Sequence, residues 1–305
     1  MDMLELIGSL GPAKWLALLM PCLVLFAFIY WQAKRKVDQG TDSKRWSQLR
    51  GWPARLKYLL NLLAFAVVSF LALGLSMLTY QNIVMAGAYL APAPSEVVLP
   101  VDFPHELQPV QFKSDGALRL HGWLIEPDLP AIVILLHGYD ANRTAMLWHA
   151  DQLARAGFGI LLYDERASGM SGGEQRSYGW QDPTDVSAAL DWLQANPSTS
   201  GSAIGIGGCS IGAQIALQAA ASDSRLKAVW ADGPSIVRPH DLPPPHNWAS
   251  AISVISSRVT DWTFAAILGR IPPPPLLEQL PTIEKTPVML VGGAQASISS
   301  DPNRD

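Results

Sequence analysis

The chain has 305 residues, room for one large domain and a smaller companion, with 49% hydrophobic and only 16% charged residues. Soluble proteins carry about 25% charge, so lipid-facing segments are implied. A net charge of −4 argues against a polyanion such as nucleic acid as partner, and two cysteines, Cys22 and Cys209, far apart in sequence, exclude a disulfide framework.

The charge deficit is concentrated in the first ninety residues. Trp15–Trp31 is uncharged and, at about 1.5 Å per residue, reaches roughly 25 Å against a hydrocarbon core of about 30 Å. Lys14 can snorkel, and Trp15, Tyr30 and Trp31 suit the two interfaces. Tyr58–Tyr80 is a longer uncharged run, ample to span with some tilt. A cleaved signal peptide competes for the first run, but there the basic residues follow the apolar stretch and a second stretch comes soon after. Residues 1–85 are therefore expected to be a membrane anchor with two transmembrane helices, at about 15–31 and 58–80.

Between these runs lie Lys34, Arg35, Lys36, Lys44, Arg45, Arg50, Arg55 and Lys57 against Asp38 and Asp42. Positive charge near helix ends marks the cytoplasmic side, so the following domain is expected on the extracytoplasmic side of an integral membrane protein. A loop that simply holds anionic lipid heads would lie on the same side. Residues 86–108 read as a proline-rich linker, with Pro92, Pro94, Pro100 and Pro104 opposing regular structure.

From residue 109 to 305 strand and helix signals alternate. Strands are expected at Pro109–Ser114, Leu118–Ile125, Ala131–Leu136, Phe158–Tyr163, Ala203–Gly207, Leu226–Trp230 and Val288–Val291. Helices are expected at Arg143–Ala156, Pro183–Ala195 and Ile211–Ala221. This alternation implies an α/β fold, a mostly parallel sheet with helices on both faces. Between about 234 and 286 it breaks. Proline clusters there bracket an apolar segment containing Trp248 and Trp262, read as a helical cap insert. A lid over an apolar pocket, ordinary packing, and a surface resting on a bilayer all fit that segment.

Gly208-Cys209-Ser210-Ile211-Gly212 fits G-x-S-x-G, with a strand before it and a helix after it. Such a turn is too tight for side chains beside the serine. It lifts the Ser210 hydroxyl above the sheet and sets the Ile211 N–H at a helix N-terminus, where negative charge is stabilised. His137-Gly138-Tyr139 follows the strand Ala131–Leu136. In a fold of this kind that loop gives the second oxyanion donor, the Tyr139 N–H, while His137 reads as a loop-bonded structural residue. No cluster has metal-site spacing, and neither metal nor cofactor is expected.

Residues from about Asp115 to Val291 resemble the α/β-hydrolase superfamily, in particular its membrane-anchored serine esterase and peptidase-like members. The matching stretches are Leu136-His137-Gly138-Tyr139, the elbow, and Tyr163-Asp164-Glu165-Arg166-Ala167-Ser168-Gly169-Met170-Ser171. In the last, Ala167 and Ser168 replace the central pair of the usual D-x-R-G-H-G-x-S. The resemblance implies hydrolysis of a small-molecule ester or amide through an acyl-serine intermediate at Ser210, with no cofactor, while the two apolar runs imply a lipid bilayer as partner. Asp164 and Arg166 then read as a loop-fixing pair.

The triad does not close. A serine hydroxyl needs a base, and the base needs an orienting carboxylate, in the chain order Ser, acid, His. Asp232 and Asp301 are the candidate acids. All six histidines precede the last strand, and of these His240 and His246 lie in the cap segment. The polar ending Ser297–Asp305 favours a shortened chain, slow or inactive as encoded. The alternatives are a catalytically dead, membrane-tethered binding protein of hydrolase fold, and an unorthodox base.

Overall fold

The computed structural model describes residues 52–235 and 241–292. The expected span at 15–31, most of the basic loop, His240 and Asp301 lie outside the described residues. The chain divides into two compact units, one ending at Val84 and one beginning at Met85.

A single helix, α1, runs over Trp52–Leu90. Within it Leu63–Leu90 is long and apolar enough to cross a membrane, and is the one such stretch among the described residues. Its large apolar side chains are bare, Phe70 being 77% exposed. The helix runs ten residues past Tyr80, so the linker begins after Leu90 and not at residue 86. The reason is burial: Ala86 and Leu90 pack with Phe264 and Leu268. Proline then stops it, since Pro92 disfavours helical backbone at Ala91. Arg176 occupies the carbonyls left at the helix end: its N–H bonds Leu90 O at 2.9 Å, Nη2 bonds Ala88 O at 3.2 Å and Nε bonds Ala91 O at 2.6 Å. Inside the linker Ala93–Pro94 pairs in parallel with Ser168–Gly169.

The second unit is built on a seven-stranded sheet: β1 Gln108–Lys113, β2 Arg119–Ile125, β3 Ala131–Leu136, β4 Gly159–Tyr163, β5 Ala203–Cys209, β6 Leu226–Asp232 and β7 Val288–Val291. The order across it is β1-β2-β4-β3-β5-β6-β7, with β2 antiparallel to β1 and β4 and every later pair parallel. Helices α2 (Leu147–Arg155), α3 (Asp182–Ala195) and α4 (Ile211–Ser222) connect the parallel strands. Between β1 and β2, Asp115–Ala117 forms a short 3-10 turn with Gly116 at φ 63°.

Strand side chains alternate between two cores, as the pleat requires. Leu124, Ile134, Leu161 and Tyr163 join α3 and α4 on one face, while Trp123, Ile125, Leu135, Ile160 and Leu162 meet Met146 and Ala150 on the other. Every residue of α4 from Ile211 to Ala220 is buried, which explains a helix with almost no polar stripe. In the expected cap segment α5 spans Trp248–Leu268, capped by Asn247 and closed by Gly269 in the left-handed region. The short α6, Leu276–Gln279, returns the chain toward the sheet, with the N–H groups of Leu276 and Leu277 held by Asp241.

Candidate active site

From β3 the chain crosses to β4 on one side and then to β5 on the other. Connections diverge at that point and leave a crevice beyond the carboxyl ends of β3 and β5, where open α/β sheets bind ligands. The residues waiting there are His137-Gly138-Tyr139 after β3 and Ser210 after β5.

Ser210 is exposed and holds φ 55° and ψ −116°, a conformation that costs a non-glycine residue about 1–3 kcal/mol. Its N–H bonds Asp232 O at 2.8 Å, and its carbonyl accepts from Gln214 N at 3.1 Å to start α4. The bend is thus fixed from both sides. The glycines around it are contact-limited: a Cβ on Gly208 would meet Gly212 C at 2.5 Å, and one on Gly212 would meet the carbonyl oxygens of Leu136 and His137 at 2.6 Å. Gly138 faces the serine across the crevice, where a Cβ would stand 3.7 Å from Ser210 Cβ. Gly138, Tyr139 and Ile211 line one cavity of about 20 Å³, together with Glu165, Arg176 and Tyr178. That is room for one small group or water.

Both ring nitrogens of His137 are occupied. Nε2 accepts from the Glu165 N–H at 3.0 Å, so Nδ1 carries the proton it donates to Gly138 O at 2.9 Å. Burial holds its pKa below the ordinary histidine value. The ring is a neutral loop brace.

Asp164 and Arg166 do not pair with each other, which corrects the sequence expectation. Asp164 is fully buried and binds Arg143, taking its N–H at 2.9 Å and its guanidinium at 3.3 Å, and it also accepts the Met170 N–H at 2.8 Å. Arg166 turns the other way and grips both oxygens of Asp185 at 2.7 Å. The chain leaves β4 at Tyr163 and turns at Arg166-Ala167, with Ala167 at φ 54°, and the two side chains meet different partners. The glycine ending the stretch is obligatory: Gly169 has φ 52°, and a Cβ there would fall 2.2 Å from Asp164.

Glu165, between them, carries a signal that the sequence reading passed over. It lines the cavity, is 8% exposed, and its Oε1 has no hydrogen-bond partner among the described residues. Burial, then the charges of Asp182 and Asp185, push its pKa well above the ordinary glutamate value. The folded protein therefore keeps this proton where an unfolded chain loses it. Its penalty is nil in acid and grows as pH rises above the unfolded value, until the folded group ionises too. Glu165→Gln is expected to raise the melting temperature at pH 8 and leave it unchanged at pH 4; an equal shift at both would show that Glu165 is already charged.

Asp232 ends β6 beside the elbow, and its carboxylate lies 3.9 Å from Cys209 Sγ and within electrostatic reach of His149. Burial lowers the pKa of His149, which rests against Trp148 and Trp230 with ring centroids 4.9 Å away. His105 pairs with Asp151 at 2.9 Å. Among the described residues the Ser210 hydroxyl has Ser235 Oγ at 3.4 Å and no histidine within hydrogen-bond distance. The structure thus brings Ser210, Gly138, Tyr139 and Ile211 to one place, with Asp232 contacting the elbow from behind.

The fold has a counterpart among solved structures. An esterase of Pyrococcus furiosus superposes with a TM-score of 0.51 at 26% identity, over 66% of this chain and 76% of that one. The chain is a member of the α/β-hydrolase superfamily. Consistently, the family model of the X-Pro dipeptidyl-peptidases (S15 family) matches residues 115–241 of this hydrolase-fold chain. It is also similar to a polyketide transferase of Stachybotrys chlorohalonatus, 35% identical over 131 residues, 41% of this chain and 44% of that protein. A thiohydrolase of Aspergillus aculeatus is 32% identical over 127 residues, 39% of each chain. The matched region is thus less than half the length of these curated relatives.

Proposed function

We propose that this chain is a serine hydrolase acting on small carboxylic esters or amides, with Ser210 as nucleophile and the N–H groups of Tyr139 and Ile211 as oxyanion donors. One observation carries the reading: an exposed serine, strained at φ 55° between a strand and a buried helix, faces the loop after β3 across the sheet's switch point. In such a site the hydroxyl oxygen attacks the acyl carbon and the leaving group departs with a proton. The two donors bear the charge that develops on the carbonyl oxygen. The similarity to an esterase, a thiohydrolase and a polyketide transferase supports this class. Asp232 is the acid placed nearest the elbow. The basic residues between 34 and 57 and the apolar helix α1 support a hydrolase domain on the extracytoplasmic face of a membrane.

A fluorophosphonate probe is expected to label the wild-type chain and leave Ser210→Ala unlabelled, read by gel fluorescence and by the mass of the labelled peptide. Equal labelling of both removes Ser210 from the mechanism. A second reading, a membrane-tethered binding protein that has kept the fold without the chemistry, draws on the Ser210 hydroxyl having no histidine beside it among the described residues. It predicts a folded protein that ignores the probe while its melting temperature shifts with ligand.

A further inference from the structure

Helix α5 buries one narrow side, where Asp261, Phe264 and Leu268 turn inward. At about 100° per residue, Trp248, Ile252, Ile255, Val259 and Trp262 fall within about 80° of one another on the opposite side. Trp248 is 78% and Trp262 69% exposed, with Ile252 and Ile255 at 41% and 46%. The stripe is about 20 Å long, contains no charge and carries a tryptophan at each end. Apolar patches of this kind on a soluble face mark a partner or a membrane.

Chain continuity indicates which. Ala86 and Leu90, the last turns of α1, are buried against Phe264 and Leu268 of α5 itself. The apolar stretch Leu63–Leu90, fit to cross a bilayer, therefore ends where α5 packs. The end of that stretch is thus held on the inner side of α5. Tryptophan prefers the boundary between headgroups and acyl chains, and a helix with an apolar face can lie in that plane.

We propose that α5 lies flat on the bilayer surface, with the stripe from Trp248 to Trp262 immersed in the headgroup–acyl boundary, as a second membrane contact beside α1. The inference rests on α1 crossing the membrane, and the experiment separates the two. In the full chain carrying Cys22→Ser and Cys209→Ser, single nitroxide labels are placed through Leu71→Cys, Ser253→Cys, Ile255→Cys and Trp262→Cys. Each protein is reconstituted in phosphatidylcholine–phosphatidylglycerol liposomes, and collision with oxygen is compared with collision with a water-soluble nickel chelate. The label at 71 is expected deep in lipid. Labels at 255 and 262 should show an oxygen-to-nickel ratio several-fold above that at 253, which lies on the flank away from the stripe. If 255 and 262 match 253 while 71 stays deep, the docking is overturned and the anchor stands. If 71 is itself in water, both fall. Spin–spin broadening at 255 without oxygen enrichment would assign the stripe to a second copy of the chain and overturn the proposal as well.

Discussion

Arg166→Leu is expected to cost about 3–5 kcal/mol of stability, because it strands a carboxylate that the fold has already taken out of water. Asp185 is 1% exposed and Arg166 6%, and the guanidinium meets both carboxylate oxygens at 2.7 Å. Burial raises the pKa of Asp185, and the Arg166 bonds and charge oppose that rise. Asp182 stands 3.9 Å from the same guanidinium, so its removal leaves two buried acids facing each other. Against a typical total of about 5–15 kcal/mol the loss is large. Urea unfolding measures it. The double variant Arg166→Leu/Asp185→Leu should lose clearly less than the sum of the two single changes, since it leaves no orphaned charge at this pair. Additive losses would mean that the pair contributes no coupling.

Gly212→Ala is expected to destabilise by at least about 2 kcal/mol, although alanine is the better helix former by about 1 kcal/mol. The added methyl would stand 2.6 Å from two main-chain oxygens, those of Leu136 and His137, and neither can rotate aside. To make room, α4 must move away from the end of β3, taking Ser210 and Ile211 away from Gly138 and Tyr139. Probe labelling at Ser210 should fall along with the urea midpoint. Gly205→Ala in β5, the strand before the serine turn, is the control. Its nearest neighbour would be Ala228 O at 3.5 Å, ordinary contact, so both readouts should stay near wild type. If the two substitutions behave alike, steric limits do not shape the elbow.

The two regions differed in how far the sequence foretold them. Each strand from β1 to β7 falls within a residue or two of its sequence expectation, and the inner ones are clearest because a strand buried on both faces is a continuous apolar run such as Ala131–Leu136. The serine turn was equally legible, since its glycines are dictated by local backbone geometry. The end of α1 was not: Ala86 and Leu90 stay helical because Phe264 and Leu268, some 180 residues on, cover them.

By itself, then, the sequence determined the alternating α/β architecture, the apolar helix and the place of Ser210, all of which follow from local periodicity and steric need. Only the tertiary structure decided that Asp164 answers Arg143 while Arg166 answers Asp185, that burial pushes the Glu165 carboxyl well above the ordinary glutamate range, and that α5 keeps a bare apolar stripe. Partner choice and protonation depend on what distant segments bring within a few ångströms and how far they exclude water, and neither quantity is written in any local window of residues.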